Sequence, residues 1–331
     1  RGEFGVKIAS AINNTNSVHL SYLDATRPVT QWLSATRTSY NPEFIPTNFA
    51  RDFMFGNMAY AIEGGNILKL NRNLGRAFKA INRSELGTKN KDQYDRYYEE
   101  FMNEGAQTGF MNMRNIETMK KDLEKMHKQM LRTGGKVSDM KNLAIKFGST
   151  GMQYLNAMSE NAMRFAVYLT EREKGASAKQ AAFAAKEITV NFNRKGRYTE
   201  NMGASYSFFN ASVQGTARLY DLTKKHGKRA AVALATLTAI KLTSDLVCAL
   251  VAGDDYDELS DYVKFSNILI PIGVQEDGRT RFLKIPMAQG VRAVTNIADV
   301  TVDVLRGNKT VAEAAKTFFL NNLGEHLPLS F

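Results

Sequence analysis

A single cysteine, Cys248, stands in a chain of 331 residues. That excludes an intrachain disulfide and any cysteine-rich metal site. It suits a reducing compartment, or a fold that needs no covalent staple. Cys248 lies between Val247 and Ala249 with no histidine close in sequence. The expectation is an inert buried thiol, because a reactive one needs surroundings that favour thiolate. Proline is scarce too. Pro28, Pro42 and Pro46 lie near the start, Pro271, Pro286 and Pro328 in the last quarter, and none falls between Asn48 and Leu269. Long uninterrupted helices require such a gap, since an interior proline costs about 3 kcal/mol.

The chemistry-bearing patterns are missing as well. His19, His127, His226 and His326 are far apart and form no HxxH or HExxH pair, so no metal ligand is assigned. There is no GxGxxG, no phosphate loop of the Walker type and no GxSxG elbow. Glu99-Glu100 and Asp254-Asp255 are adjacent pairs, which diverge by about 100° on a helix. No catalytic residue and no cofactor site follows, and the segment is not expected to be an enzyme. The N-terminal stretch lacks the apolar core of a cleavable signal peptide. Neither end reads as a natural terminus, so a segment of a larger polypeptide is expected.

What is present is an ordinary globular composition, 44% hydrophobic and 23% charged, which argues for a packed core rather than disorder. The formal net charge of +11 favours anionic partners such as nucleic acid or lipid headgroups. Helical periodicity dominates. Helices are expected around residues 29–37, anchored by Trp32, and from an N-cap at Thr47 or Asn48. In the latter run Phe49, Phe53, Met58, Ile62, Leu70, Leu74 and Phe78 recur at helical spacing, with Gly64-Gly65 as a break. Further helices are expected over 92–104, 116–131, 138–147 and 154–174. Met119, Leu123, Met126 and Met130 form a stripe that reads as core more readily than as a partner site. Ser177 to Gln180 reads as a capping box, with Ala181, Ala182, Ala184, Ala185 and Ile188 following inward. Helices over 204–229, 288–305 and 310–320 complete the list.

The one β signal is a hairpin at 268–286, because Asp277-Gly278 lies between apolar, β-branched runs. The fold class is all-α, a multi-helix bundle-like array with this late hairpin. The loose division is 1–150 and 151–331.

Two basic clusters stand out. Lys224, Lys225, Lys228 and Arg229 crowd what reads as a helix end, where the dipole favours cations anyway. Arg194, Lys195 and Arg197 lie beside Tyr198. Both clusters are candidates for phosphate contact on DNA or anionic lipid, with no motif for reading bases. The apolar run 230–253 follows the first cluster at once and is itself followed by Asp254, Asp255, Asp257, Glu258 and Asp261. Its length suits a bilayer core of about 20 residues. Lys241 and Asp245 interrupt it at i, i+4 and can pair. Such a pair is costly against lipid and tolerable inside protein. A buried soluble helix and a conditionally membrane-inserting helix both fit.

Four stretches carry a more specific resemblance. They are Asn41-Pro42-Glu43-Phe44 through Asn48-Phe49-Ala50-Arg51-Asp52; Ser159 to Arg164 through Asn191-Phe192-Asn193-Arg194-Lys195-Gly196; Phe208 to Gly215; and the hairpin ending in Lys284-Ile285-Pro286. Together they resemble the helical domain of large polyvalent proteins of bacteriophages, among them giant internal virion proteins ejected with the genome, over roughly residues 40–290. The resemblance implies a virion-internal ejection protein segment. It would assemble as a homo-oligomer with other internal virion, portal or tail proteins. It would move from the virion interior to the host cell envelope, where it could meet DNA or the host membrane, and assist DNA delivery. The alternative is a soluble polyvalent cargo protein acting against host defence; a nucleic-acid-processing enzyme ranks last. Asn48, Arg51, Asp52, the pair Glu160–Arg164, Asn191, Asn193 and Asn210 read as fold-determining polar groups.

Overall fold

The computed structural model describes residues 43–85, 92–106, 149–189 and 209–326. Expectations for residues 29–37, the Met119–Met130 stripe, residues 138–147, Asn191 and Asn193 lie outside the described residues.

The described chain is all-α apart from one hairpin. Helix α1 runs Phe44–Ile62 and begins before the expected cap at Thr47 or Asn48. Pro46 explains the difference. In the first turn its missing N–H has no intrahelical carbonyl to reach, so it starts the helix rather than preceding it. The helix ends in a Schellman turn: Gly64, at φ 87°, donates to the Ala61 carbonyl and Gly65 to that of Tyr60. Phe55, Met58 and Ile62 are buried, but Phe53 is exposed. Midway, a Cβ on Gly56 would stand 2.6 Å from Met163 Cε, so glycine there permits close approach by α4.

Helix α2, Ile67–Glu85, buries Leu70, Leu74, Ala77 and Ile81 on one face. Helix α3, Gln93–Asn103, opens with a capping box of Asp92 and Asp95. Arg83 of α2 grips both carboxylates, at 2.6 Å to Asp92 and 2.8 Å to Asp95, which ties the two helices together. Helix α4, Ser149–Glu173, starts earlier than expected at residue 154. From Asn161 to Thr170 every side chain is buried, so α4 is wrapped on all sides, chiefly by α1, α2 and α5. Tyr98, Phe101, Phe165 and Tyr168 pack there in a mixture of stacked, tilted and edge-to-face pairs with ring centroids 5.0–6.1 Å apart. Gly175 closes α4 at φ 94°. Ser177 and Gln180 then form the expected capping box for α5, Ala178–Glu187, with Ala181, Ala182 and Ala185 inward and Ala184 partly covered. The principal core thus draws on residues from both sides of residue 150.

The two helices expected over 204–229 and 230–253 are one run, α6, Phe209–Ala252, broken only at His226 (φ −131°, ψ 40°). After Gly253 come two short helices, α7 at Asp254–Asp257 and α8 at Asp261–Ser266. The hairpin follows, β1 Asn267–Val274 and β2 Thr280–Pro286. It is antiparallel, pairing Ile268 with Ile285 and Ile270 with Leu283, with a bulge between Pro271 and Gly273. The helix expected from Ala288 starts later, as α9 Arg292–Thr295 and α10 Ile297–Leu305. Helix α11, Val311–His326, runs past the expected end at Leu320. A second core of Cys248, Ala249, Tyr256, Leu269 and Val302 joins α6 to the hairpin and α10.

Candidate functional site

Past His226, α6 has two faces of opposite character. Ala230, Lys241, Asp245, Cys248 and Ala249 are buried; they fall on one side at 100° per residue. Val232, Ile240, Val247, Leu250 and Val251 are exposed on the other. Thr236 and Thr243 share the outer face, and their hydroxyls donate to the Val232 and Ala239 carbonyls at 2.8 Å. The outer face therefore presents no unsatisfied polar group of its own. By length and composition this is the one helix among the described residues able to cross a membrane, and only 22% of its apolar window is covered.

The inner face holds the charges. Lys241 Nζ donates to Asp245 at 2.5 and 2.6 Å and also to Asp299 Oδ1 of α10. Lys241 and Asp245 are fully buried and Asp299 nearly so. The pair anticipated at i, i+4 is thus a triad, and α10 supplies its third member. Burial pushes the Asp299 carboxyl upward while Lys241 pulls it down. One turn along α10, Asp303 meets Lys264 at 3.5 Å and Lys309 at 2.8 Å. Lys264 also lies 4.5 Å from the centre of the Tyr256 ring. Cys248 donates to the Leu269 carbonyl at 3.2 Å and is buried. Asp299 and Asp303 escaped the sequence reading, although a signal existed. They are acids at i, i+4 inside the apolar segment Ile297–Leu305, the same anomaly that singled out Lys241 and Asp245.

The acidic stretch after α6 is largely internal structure. Arg306 grips Asp257 at 2.6 Å, Lys309 grips Asp261 at 2.8 Å, and Asp255 accepts from the Thr280 backbone N–H at 2.6 Å. Exposed Glu258 has no side-chain partner among the described residues.

The basic cluster divides at His226 instead of crowding one helix end. Lys224 and Lys225 end the first helical segment, where the dipole favours them; Lys228 and Arg229 open the second. The three lysines are exposed. Arg229 leans on the end of α1, its Nη1 2.7 Å from where a Gly64 Cβ would stand. Arg194, Lys195 and Arg197 lie outside the described residues.

A second buried polar group lies between α1 and α4. Asp52 and Arg164 are buried there. Burial pushes the Asp52 carboxyl up to about 6 against the pull of Arg164 and Arg51. It pushes Glu160 up to about 7 against Arg164. Arg164 Nη1 reaches the Glu160 backbone carbonyl at 3.4 Å. Asp52 thus works inside α1, beyond its first turn. No cluster of three or more His, Cys, Asp or Glu able to hold a metal ion occurs among the described residues.

Residues 253–328 match the family described as Large polyvalent protein associated domain 38. That stretch is similar to a large polyvalent protein associated domain. It holds α7 to α11 and the hairpin, and with them Asp299 and Asp303, so the matched segment supplies the second carboxyl that meets Lys241 of α6. The match agrees with the phage polyvalent resemblance, but of the four stretches that suggested it only the hairpin falls inside. It spans just under a quarter of the chain. No curated protein and no solved structure matches the chain.

Proposed function

We propose that this chain is a segment of a phage internal virion protein that assembles with other core proteins and enters the host envelope to assist genome delivery. The observation that supports it most is the construction of α6. Its charges are turned inward onto Asp299 while an apolar face long enough for a bilayer is left bare. A helix built so can pass from a protein assembly to a lipid boundary without exposing charge to hydrocarbon. Exposed Lys224, Lys225 and Lys228, around the break at His226 that precedes this face, are suited to phosphate, on anionic headgroups or on DNA. The chain does no chemistry of its own in this reading.

Mass spectrometry of purified virions, followed by fractionation of newly infected cells, tests it. The expected result is several copies per virion and recovery with the cell envelope. Absence from the virion overturns the proposal. Virion copies recovered in the cytosol instead would favour a soluble cargo protein acting on host defence.

A further inference from the structure

The bare face of α6 extends from Val232 to Val251, about 28 Å at 1.5 Å per residue. We infer that it packs against the same face of a second copy of this chain, antiparallel, about a twofold axis near Lys241 and Leu242. This rests on the assembly half of the proposed function and not on membrane entry.

Charge decides the partner and its direction. Exposed Lys224, Lys225 and Lys228 precede the face, while exposed Asp254 and Glu258 follow it. None of these lysines, nor Glu258, has an ion partner among the described residues. A parallel pairing sets lysines on lysines. The antiparallel pairing sets the lysine end of each copy, Lys225 and Lys228, against the acidic end of the other, Asp254 and Glu258. Twofold symmetry makes each contact twice. In the assembled state a second copy offers opposite charge to both ends of the face, which an anionic bilayer does only at the lysine end. The apolar middle needs no polar partner, because the Thr236 and Thr243 hydroxyls are bonded within the helix.

Sedimentation velocity on the 331-residue chain tests this. A dimer is expected. Ile240→Asp, at a site 49% exposed, should raise its dissociation constant at least tenfold with an unchanged melting curve. Lys225→Glu and Glu258→Lys, both on the surface, should each raise it about fivefold, since two contacts are lost. The double variant should restore the parent value. A chain that stays monomeric at every concentration, indifference to Ile240→Asp, or failure of the double swap to restore dimers overturns the inference. Monomers that float with anionic vesicles would give the face to lipid and also overturn it. Virion composition and envelope recovery are read separately, so either idea can fail alone.

Discussion

Replacing Lys241 with Met removes the cation held between Asp245 and Asp299 and leaves two buried carboxyls facing each other. Because Lys241 is bonded to both acids, it and not either acid is the member whose loss orphans charge. Breaking a buried pair by deleting one partner costs roughly 3–5 kcal/mol, a large share of the 5–15 kcal/mol typical of a folded domain. Asp245→Asn should be milder, about 1–2 kcal/mol, since Lys241 keeps Asp299 and the packing volume is preserved. The triple change Lys241→Met, Asp245→Leu, Asp299→Leu should be close to neutral. The Met variant should also depend more steeply on pH than the parent, whose Asp245 and Asp299 burial already raises. Without Lys241 the carboxyl pKa values rise further in the fold. A raised carboxyl gives stability that is complete below the unfolded value and is lost as pH rises through the folded one. The deficit should therefore shrink as pH falls from about 7.5 to about 5. Urea unfolding followed by circular dichroism at both pH values measures all three. If Lys241→Met unfolds like the parent at neutral pH, or Asp245→Asn is as damaging, the triad reasoning is wrong.

Other perturbations follow from the same geometry. Asp52 and Glu160 are raised to about 6 and about 7. Stability should thus fall as pH climbs through 6 and 7, and Glu160→Gln should flatten the upper part of that slope in melting curves against pH; an unchanged slope would remove Glu160 from the account. Gly64→Ala forces a φ of 87° on an L side chain and displaces Arg229, at an expected cost of about 1–2 kcal/mol by urea titration. A stability equal to the parent's would show that the turn relaxes. Lys224→Ala, Lys225→Ala and Lys228→Ala together should weaken binding to DNA or anionic vesicles and reduce its salt slope. Arg229→Ala should matter less because Arg229 is engaged with the end of α1. Equal binding by the triple variant in a salt titration would exclude this patch.

The sequence by itself determined the local structure. Helical spacing, the Ser177 to Gln180 box, the glycines after α1 and α4, and Asp277-Gly278 in the hairpin are short-range signals, because capping and turn formation depend on residues within a few positions. The Lys241–Asp245 pairing was legible for the same reason: i, i+4 places two side chains on one helix face. Helix starts were less secure. Pro46 fits the loop before a helix as well as its first turn, and residues 149–153 carry no strong periodicity to mark where the helix begins. Only the tertiary structure decided that Asp299, 54 positions beyond Asp245 in sequence, completes the triad, and that the acids after α6 are held by Arg306 and Lys309. It also decided which side of the apolar run is covered. Composition counts apolar residues without regard to direction, whereas exposure depends on which elements pack where. On α6 the hairpin and α10 cover the charged side and leave the apolar one bare.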